Sequence, residues 1–244
     1  MPKYFFPPET RNDNTITLTG DPAHHLLHVL RLKQGDGVIL CDGQNTDYRV
    51  CLTRAHDKQP SATFQIMKTM PCTNEPSVAI TLYQALPKGD KMETIIQKNV
   101  ELGVCKIVPV ETNRSVARIK NHEKKTERYQ RIAESAAGQS MRGIVPTVEA
   151  PLTFAEAVAA KPENMLWLVC DENENTRYIK EVLCGGEITQ VGIWVGPEGG
   201  FSQDELAQLH ECGACSVTLG RRILRTETAG MSAIVQVLCH LGGL

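Results

Sequence analysis

In VGIWVGPEGGFSQDELAQLH, residues 191–210, an apolar run gives way to a helix-like pattern through Gly196, Pro197, Glu198, Gly199 and Gly200. Strand followed by helix is the repeating unit of an α/β fold. The glycines leave two readings open. They make either a tight strand-to-helix turn, or a loop whose bare backbone approaches a ligand.

The neighbouring segments repeat the pattern. Strand-like VAITLYQAL (78–86), CKIVPVET (105–112), MLWLVCDE (165–172) and ACSVTLG (214–220) alternate with helix-like KMETIIQKNVELG (91–103), KKTERYQRIAESAAGQSMRG (124–143), TFAEAVAA (153–160) and NTRYIKEVLC (175–184). A final helix is expected over TAGMSAIVQVLCHL (228–241). This alternation predicts an α/β domain with a mostly parallel sheet.

The first seventy or so residues differ. TITLTG, DGVILCDG, YRVCLTRA and ATFQIMKTM are short β-branched runs separated by Gly and Asp-Gly turns. One helical stretch, DPAHHLLHVLRLKQGD, interrupts them, with Asp21 as expected cap, Pro22 at the first position, and Leu26, Leu27, Val29 and Leu30 as its apolar face. A small β-barrel with one helix follows. PCTNEPS (71–77) reads as a linker, which sets the expected domains at 1–72 and 73–244.

With 41% hydrophobic and 22% charged residues in a chain of 244, the composition is that of an ordinary globular protein. No apolar run approaches the roughly 20 residues of a membrane span, and no signal peptide is read at the start. Nine scattered cysteines, an odd number, make a poor disulfide framework and point to a reducing cytoplasm. CGAC (212–215) lacks a second pair at zinc-ribbon spacing, and His24 and His28 of HHLLH lack further ligands, so no metal is expected. Neither GxGxxG nor GxxxxGK[ST] occurs, against a dinucleotide fold or a P-loop.

A second loop, LGRRILRTETAG (219–230), sets Arg221, Arg222 and Arg225 around Ile223–Leu224. That mixture suits a site that packs a planar ring and also meets phosphate or a nucleobase. A basic turn before a helix capped by Thr226 or Thr228 is the alternative. Both loops lie at carboxyl ends of predicted strands, where ligands gather in open α/β sheets.

VGPEGGF followed by LGRRILRTETA resembles the signature of the 16S ribosomal RNA uridine-N3 methyltransferase family, within the knotted SPOUT superfamily. HHLLHVLRLKQGD, ALPKGDKMETIIQKNVELGV and ESAAGQSMRG agree with it, so the resemblance runs along nearly the whole chain. It implies an N-terminal PUA-like β-barrel, a C-terminal α/β domain with a deep trefoil knot, and a homodimer. It further implies S-adenosyl-L-methionine (SAM) as methyl donor, in a pocket made by Leu168, Gly196, Pro197, Glu198, Gly199, Gly200, Leu219, Gly220, Ile223, Leu224 and Thr228. The substrate would be one uridine of 16S rRNA, within an assembled small subunit, methylated at N3. Arg225 is the candidate for stabilising negative charge on the base, or else grips phosphate. Glu198 and Glu227 are candidate bases, or else brace their loops. RNA contacts are expected from His25, His28, Arg31, Lys88, Lys91, Arg114, Arg142 and Arg222, and from the basic run that includes Arg118 and Lys120. Arg221 departs from the family pattern, whose members carry proline or another residue there. Two rival readings are a ribosome-assembly protein that binds RNA without catalysis, and a related enzyme acting on transfer RNA ribose.

Overall fold

The structure, a computed structural model, describes residues 3–57, 59–116, 122–185 and 187–243. The chain divides into two compact units: residues 1–75 with 137–145, and residues 76–136 with 146–244.

In the first unit, β1 (Lys3–Phe5), β2 (Arg11–Asn12), β3 (Thr15–Thr19), β4 (Gly37–Cys41), β5 (Thr46–His56) and β6 (Ser61–Pro71) form one sheet in the order β1-β4-β5-β6-β3-β2. β1 pairs with β4 in parallel and the other pairs are antiparallel. Alternation sends Ile16, Leu18, Val38, Leu40, Val50, Leu52 and Phe64 into one core. The helical stretch starts with Gly20, at φ 67°, in the cap position expected for Asp21. After α1 (Asp21–His24) it widens into a π turn over His25–Val29. Leu26 and Leu27 therefore enter the core, while Val29 and Leu30, expected beside them, are 60% and 38% exposed. Arg31, at φ 56°, ends the stretch.

Residues 137–145 are held to this unit by buried polar contacts. Arg142 donates to Glu75 Oε2 at 2.6 Å, and Gly143 N–H donates to Glu75 Oε1 at 2.7 Å. Lys3, also buried, pairs with Asp47 at 2.7 Å.

The second unit is built on a parallel sheet of β7 (Ala79–Ala85), β8 (Lys106–Glu111), β9 (Thr147–Val148), β10 (Leu152–Thr153), β11 (Leu166–Cys170), β12 (Gln190–Val195) and β13 (Cys215–Val217). Their order is β10-β8-β7-β12-β11-β13, with β9 also beside β8. The helices are α2 (Lys91–Glu101), α3 (His122–Gln139), α4 (Phe154–Ala159), α5 (Ile179–Val182), α6 (Gln203–Glu211) and α7 (Thr226–Leu241). Strands covered on both faces read as continuous apolar runs, as β12 does. One face buries Trp194, stacked on Tyr83 at 4.4 Å and edge-on to Trp167 at 5.1 Å. Gly192 makes room for them: a Cβ there would lie 2.5 Å from Trp167 Cδ1.

α5 is shorter than the helix expected over 175–184. The Glu174 carboxylate accepts from the N–H groups of Thr176 and Arg177 at 2.8 and 3.0 Å, holding that stretch in a turn. Those bonds keep the Glu174 carboxyl well below its usual range, at about 2.

Candidate active site

The carboxyl ends of β11, β12 and β13 open into a cavity of 650 Å³. Its walls are three loops: 171–175 after β11, 196–201 after β12, and 218–225 after β13. Lys91 of α2, Arg114 beyond β8, Gln203 and Leu206 of α6, and Thr226 and Ala229 of α7 also line it. This is the crevice that a parallel sheet offers to a ligand, at a size ordinary for small-molecule sites.

Thr226 joins two of these loops. Its hydroxyl donates to Gly196 O at 2.7 Å and accepts from Gln84 Nε2 at 2.9 Å. The expectation that Thr226 or Thr228 caps α7 is corrected: Arg225 occupies the cap position, and the Thr226 side chain ties the loops instead. The glycines have separate explanations. Gly196 is small because the loop folds back on itself, leaving 3.1 Å between an added Cβ and Gly200 Cα. Gly200 and Gly220 adopt φ of 67° and 117°.

Lys91 links α2 to both candidate bases. Its Nζ donates to Glu198 Oε1 at 2.7 Å and lies 3.3 Å from Glu227 Oε2, an ion pair without hydrogen-bond alignment. Lys88 N–H adds contacts to Glu198 at 3.2 and 3.3 Å. Burial pushes the Glu198 carboxyl up, but the Lys91 hydrogen bond and backbone N–H groups outweigh it and hold the value below the usual range. The bond to Glu198 in turn raises Lys91. This geometry favours bracing over proton transfer for both acids.

Of the expected pocket residues, Gly196, Pro197, Glu198, Gly200, Leu219, Gly220, Ile223 and Leu224 line the cavity, as does Arg225. Three do not. Leu168 is buried inside β11 between Ile193 and Cys215, and the strand meets the cavity two residues later, at Cys170. Gly199 points its carbonyl at Arg114 Nη1, 2.7 Å away. Thr228 lies on the exposed side of α7.

Among the expected RNA contacts, His25, His28, Arg31, Lys88, Arg114 and Arg222 are exposed and Lys91 is half-buried. Arg142 is 2% exposed and committed to Glu75, so the structure gives it a packing role in place of the expected surface one. Arg118 and Lys120 lie outside the described residues.

Sequence reasoning set the end of the strand MLWLVCD at the pocket, where Cys170 and Asp171 do line it, and missed the wall beyond: Glu172, Asn173, Glu174 and Asn175. Its position after a predicted strand was the available signal. Asp171 Oδ2 accepts from Ser216 Oγ at 3.2 Å, and Ser216 Oγ lies 2.9 Å from His210 Nε2. Burial pushes the Cys170 thiol to about 12, so it stays neutral. Among the described residues, no group of three His, Cys, Asp or Glu could hold a metal ion, and no helix is long and apolar enough to cross a membrane.

Comparisons with known proteins fit this geometry. Residues 73–238 match the RNA methyltransferase domain family, and residues 18–65 the RNA methyltransferase PUA domain. The expected pairing of a PUA-like unit with a SPOUT-type α/β unit is borne out. The chain is 38% identical over 234 residues to ribosomal RNA small subunit methyltransferase E of Synechocystis sp., covering 94% of this chain and 75% of that one. For the same-named protein of Bacillus subtilis the identity is 33% over 227 residues, with coverages of 90% and 88%. The crystal structure of ribosomal RNA small subunit methyltransferase E from Neisseria gonorrhoeae, bound to S-adenosyl methionine, matches with a TM-score of 0.87 at 32% identity, over 98% of this chain and 97% of that one. With the cavity loops and both units accounted for, the chain belongs to the ribosomal RNA small subunit methyltransferase E family.

Proposed function

We propose that this protein transfers a methyl group from SAM to N3 of a uridine in 16S rRNA. The observation that carries the reading is the meeting of loops 196–201 and 218–225 in one cavity, tied by Thr226. The cavity suits the cofactor: Gly220 leaves open space where a Cβ would stand, and Leu219, Ile223 and Leu224 offer apolar surface for the adenine ring. SAM, when bound, supplies an electrophilic methyl group on a sulfonium.

The rest is the work of this chain. Holding nucleophile and methyl in line supplies about 7–11 kcal/mol of the barrier reduction. Arg225, exposed at the cavity, stabilises the negative charge that builds on the uracil ring as N3 gives up its proton. Lys91 and Glu198 keep the 196–201 loop fixed while this happens. Arg114 and Arg222 on this unit, and His25, His28 and Arg31 on the first, serve the phosphate backbone. A homodimer belongs to the same reading, since Ile223, 82% exposed at the cavity, gains a cover from a second copy. So do the knotted chain path, a cytoplasmic setting and an assembled small subunit as substrate.

Nucleoside mass spectrometry of small-subunit rRNA, from cells with and without the protein, tests the reaction. Loss of 3-methyluridine on deletion is expected. An unchanged level overturns it.

A further inference from the structure

We propose that Glu172 is the catalytic residue that accepts the N3 proton of the uridine; the inference rests on the methyltransferase reading above. N3 of uridine carries a hydrogen that must leave, so the cavity needs an acceptor. Four carboxylates line it: Asp171, Glu172, Glu174 and Glu198. Three are committed. Asp171 accepts from Asn173 N–H at 2.9 Å and from Ser216. Glu174 caps the turn at 176–177. Glu198 is held by Lys91 and Lys88. Glu227, the other acid near Lys91, is not in the lining.

Glu172 alone among these acids makes no hydrogen bond or ion pair with a described residue, and it is exposed to the cavity. Its Oε1 reaches over the neighbouring loop, 3.3 Å from where a Cβ on Gly200 would stand. A carboxylate without a donor keeps its lone pairs for an incoming N–H, and a carboxylate already bridged by lysine does not. The charged groups around it are Asp171 and Glu174 on its own loop, Glu198 on the next, Lys91 from α2, Arg114 beyond β8, and Arg221, Arg222 and Arg225 on the loop after β13. Acid and guanidinium therefore stand on different walls of one cavity, able to take a proton and to stabilise the anion left behind.

The step balances. The N3–H bond breaks as an O–H bond forms on Glu172. The electron pair on N3 forms the bond to the methyl carbon, and the C–S pair stays on sulfur, leaving a neutral thioether. Water then takes the proton from the Glu172 carboxylic acid.

The test is Glu172→Gln in the full chain, assayed by single-turnover methylation of small subunits across pH, beside calorimetry with SAM. Because the side chain has no partner among the described residues, the variant should melt with wild type. The expected result is a loss of roughly 10²–10⁴-fold in the methylation rate at neutral pH, with SAM affinity unchanged. The loss should shrink as pH rises toward the range where uridine N3 ionises unaided. A full rate, a loss that is constant with pH, or a parallel fall in SAM affinity each overturns the proposal. A wild-type protein that transfers no methyl group overturns the functional reading instead, and this inference with it.

Discussion

Three side chains, Thr226, Lys91 and Glu198, hold the cavity loops in shape. Thr226 is buried and gives both lone pair and proton to the fold, joining Gln84 to Gly196. Thr226→Val keeps the volume and removes both bonds, leaving a buried amide and carbonyl without that partner. The expected cost is about 1–3 kcal/mol in urea denaturation, with weaker SAM binding because Gly196 is released. An unchanged stability would mean that water replaces the hydroxyl. The Glu198–Lys91 tie makes a pH prediction. Glu198 is lowered in the fold, so its contribution is present above the unfolded glutamate value of about 4.3 and is lost as pH falls through the lower folded value. Lys91 remains charged throughout that window. SAM affinity of wild type should therefore fall in that acid window, and Glu198→Gln should bind more weakly near neutral pH and lose that part of the pH dependence. Calorimetry of the two proteins across this window checks it. Neither residue's role could be read from the chain order: Lys91 and Glu198 are far apart in sequence, and the motif shows an acid without showing its partner.

The 196–201 loop leads into α6, whose start shows what an element needs beyond periodicity. Ser202 caps it, accepting from Glu205 N–H at 3.2 Å, while Glu205 accepts from Ser202 N–H at 2.8 Å. Glu205 also accepts from Asn113 N–H at 2.7 Å and is 2% exposed. Ser202→Ala should cost about 0.5–2 kcal/mol, the ordinary value of a lost cap. Glu205→Ala should cost more, because it strands two backbone donors, one of them on the loop that carries Arg114. Chemical denaturation of both variants gives the order, and equal losses would refute the added role of Asn113. The helix was legible in SQDELAQLH, and so were β7, β8, β11 and β12, whose apolar runs are long enough to show a pattern. The two-residue strands β9 and β10 carry no periodicity to read. α5 was overextended because Glu174 takes the N–H groups that a longer helix would have used. The stretch after Asp21 was misread at Val29 and Leu30 because the π turn over His25–Val29 rotates the following residues off the apolar face.

At the scale of the molecule, sequence order was a partial guide. Residues 137–145 belong to the first unit although the chain has long since entered the second, and the buried Arg142–Glu75 pair that holds them joins positions 67 apart. A contiguous partition at 72 could not anticipate this, and the same burial removes Arg142 from the surface expected for it. The location of the site was legible, because strand ends are where a parallel sheet places its loops; the acids past the end of MLWLVCD, Glu172 and Glu174, were missed because no motif marks them. This dependence of loops on the sheet gives a last prediction. β11 and β12 pair in register from Leu166–Val191 to Cys170–Val195, and both end at the cavity. Their spacing relies on Gly192, over which Trp167 lies, with Trp194 and Tyr83 leaving the indole little room to move. Gly192→Ala should cost about 1–3 kcal/mol through overpacking. It should also weaken SAM binding, although residue 192 does not line the cavity. In a Trp167→Ala background the added cost of Gly192→Ala should shrink for both, because Cδ1 and Nε1, which the new methyl would meet, are gone. Thermal melts and calorimetry on the two single variants and the double variant measure this coupling. Strictly additive losses would show that the tryptophan does not set the strand spacing, and that the loops are positioned by their own bonds alone.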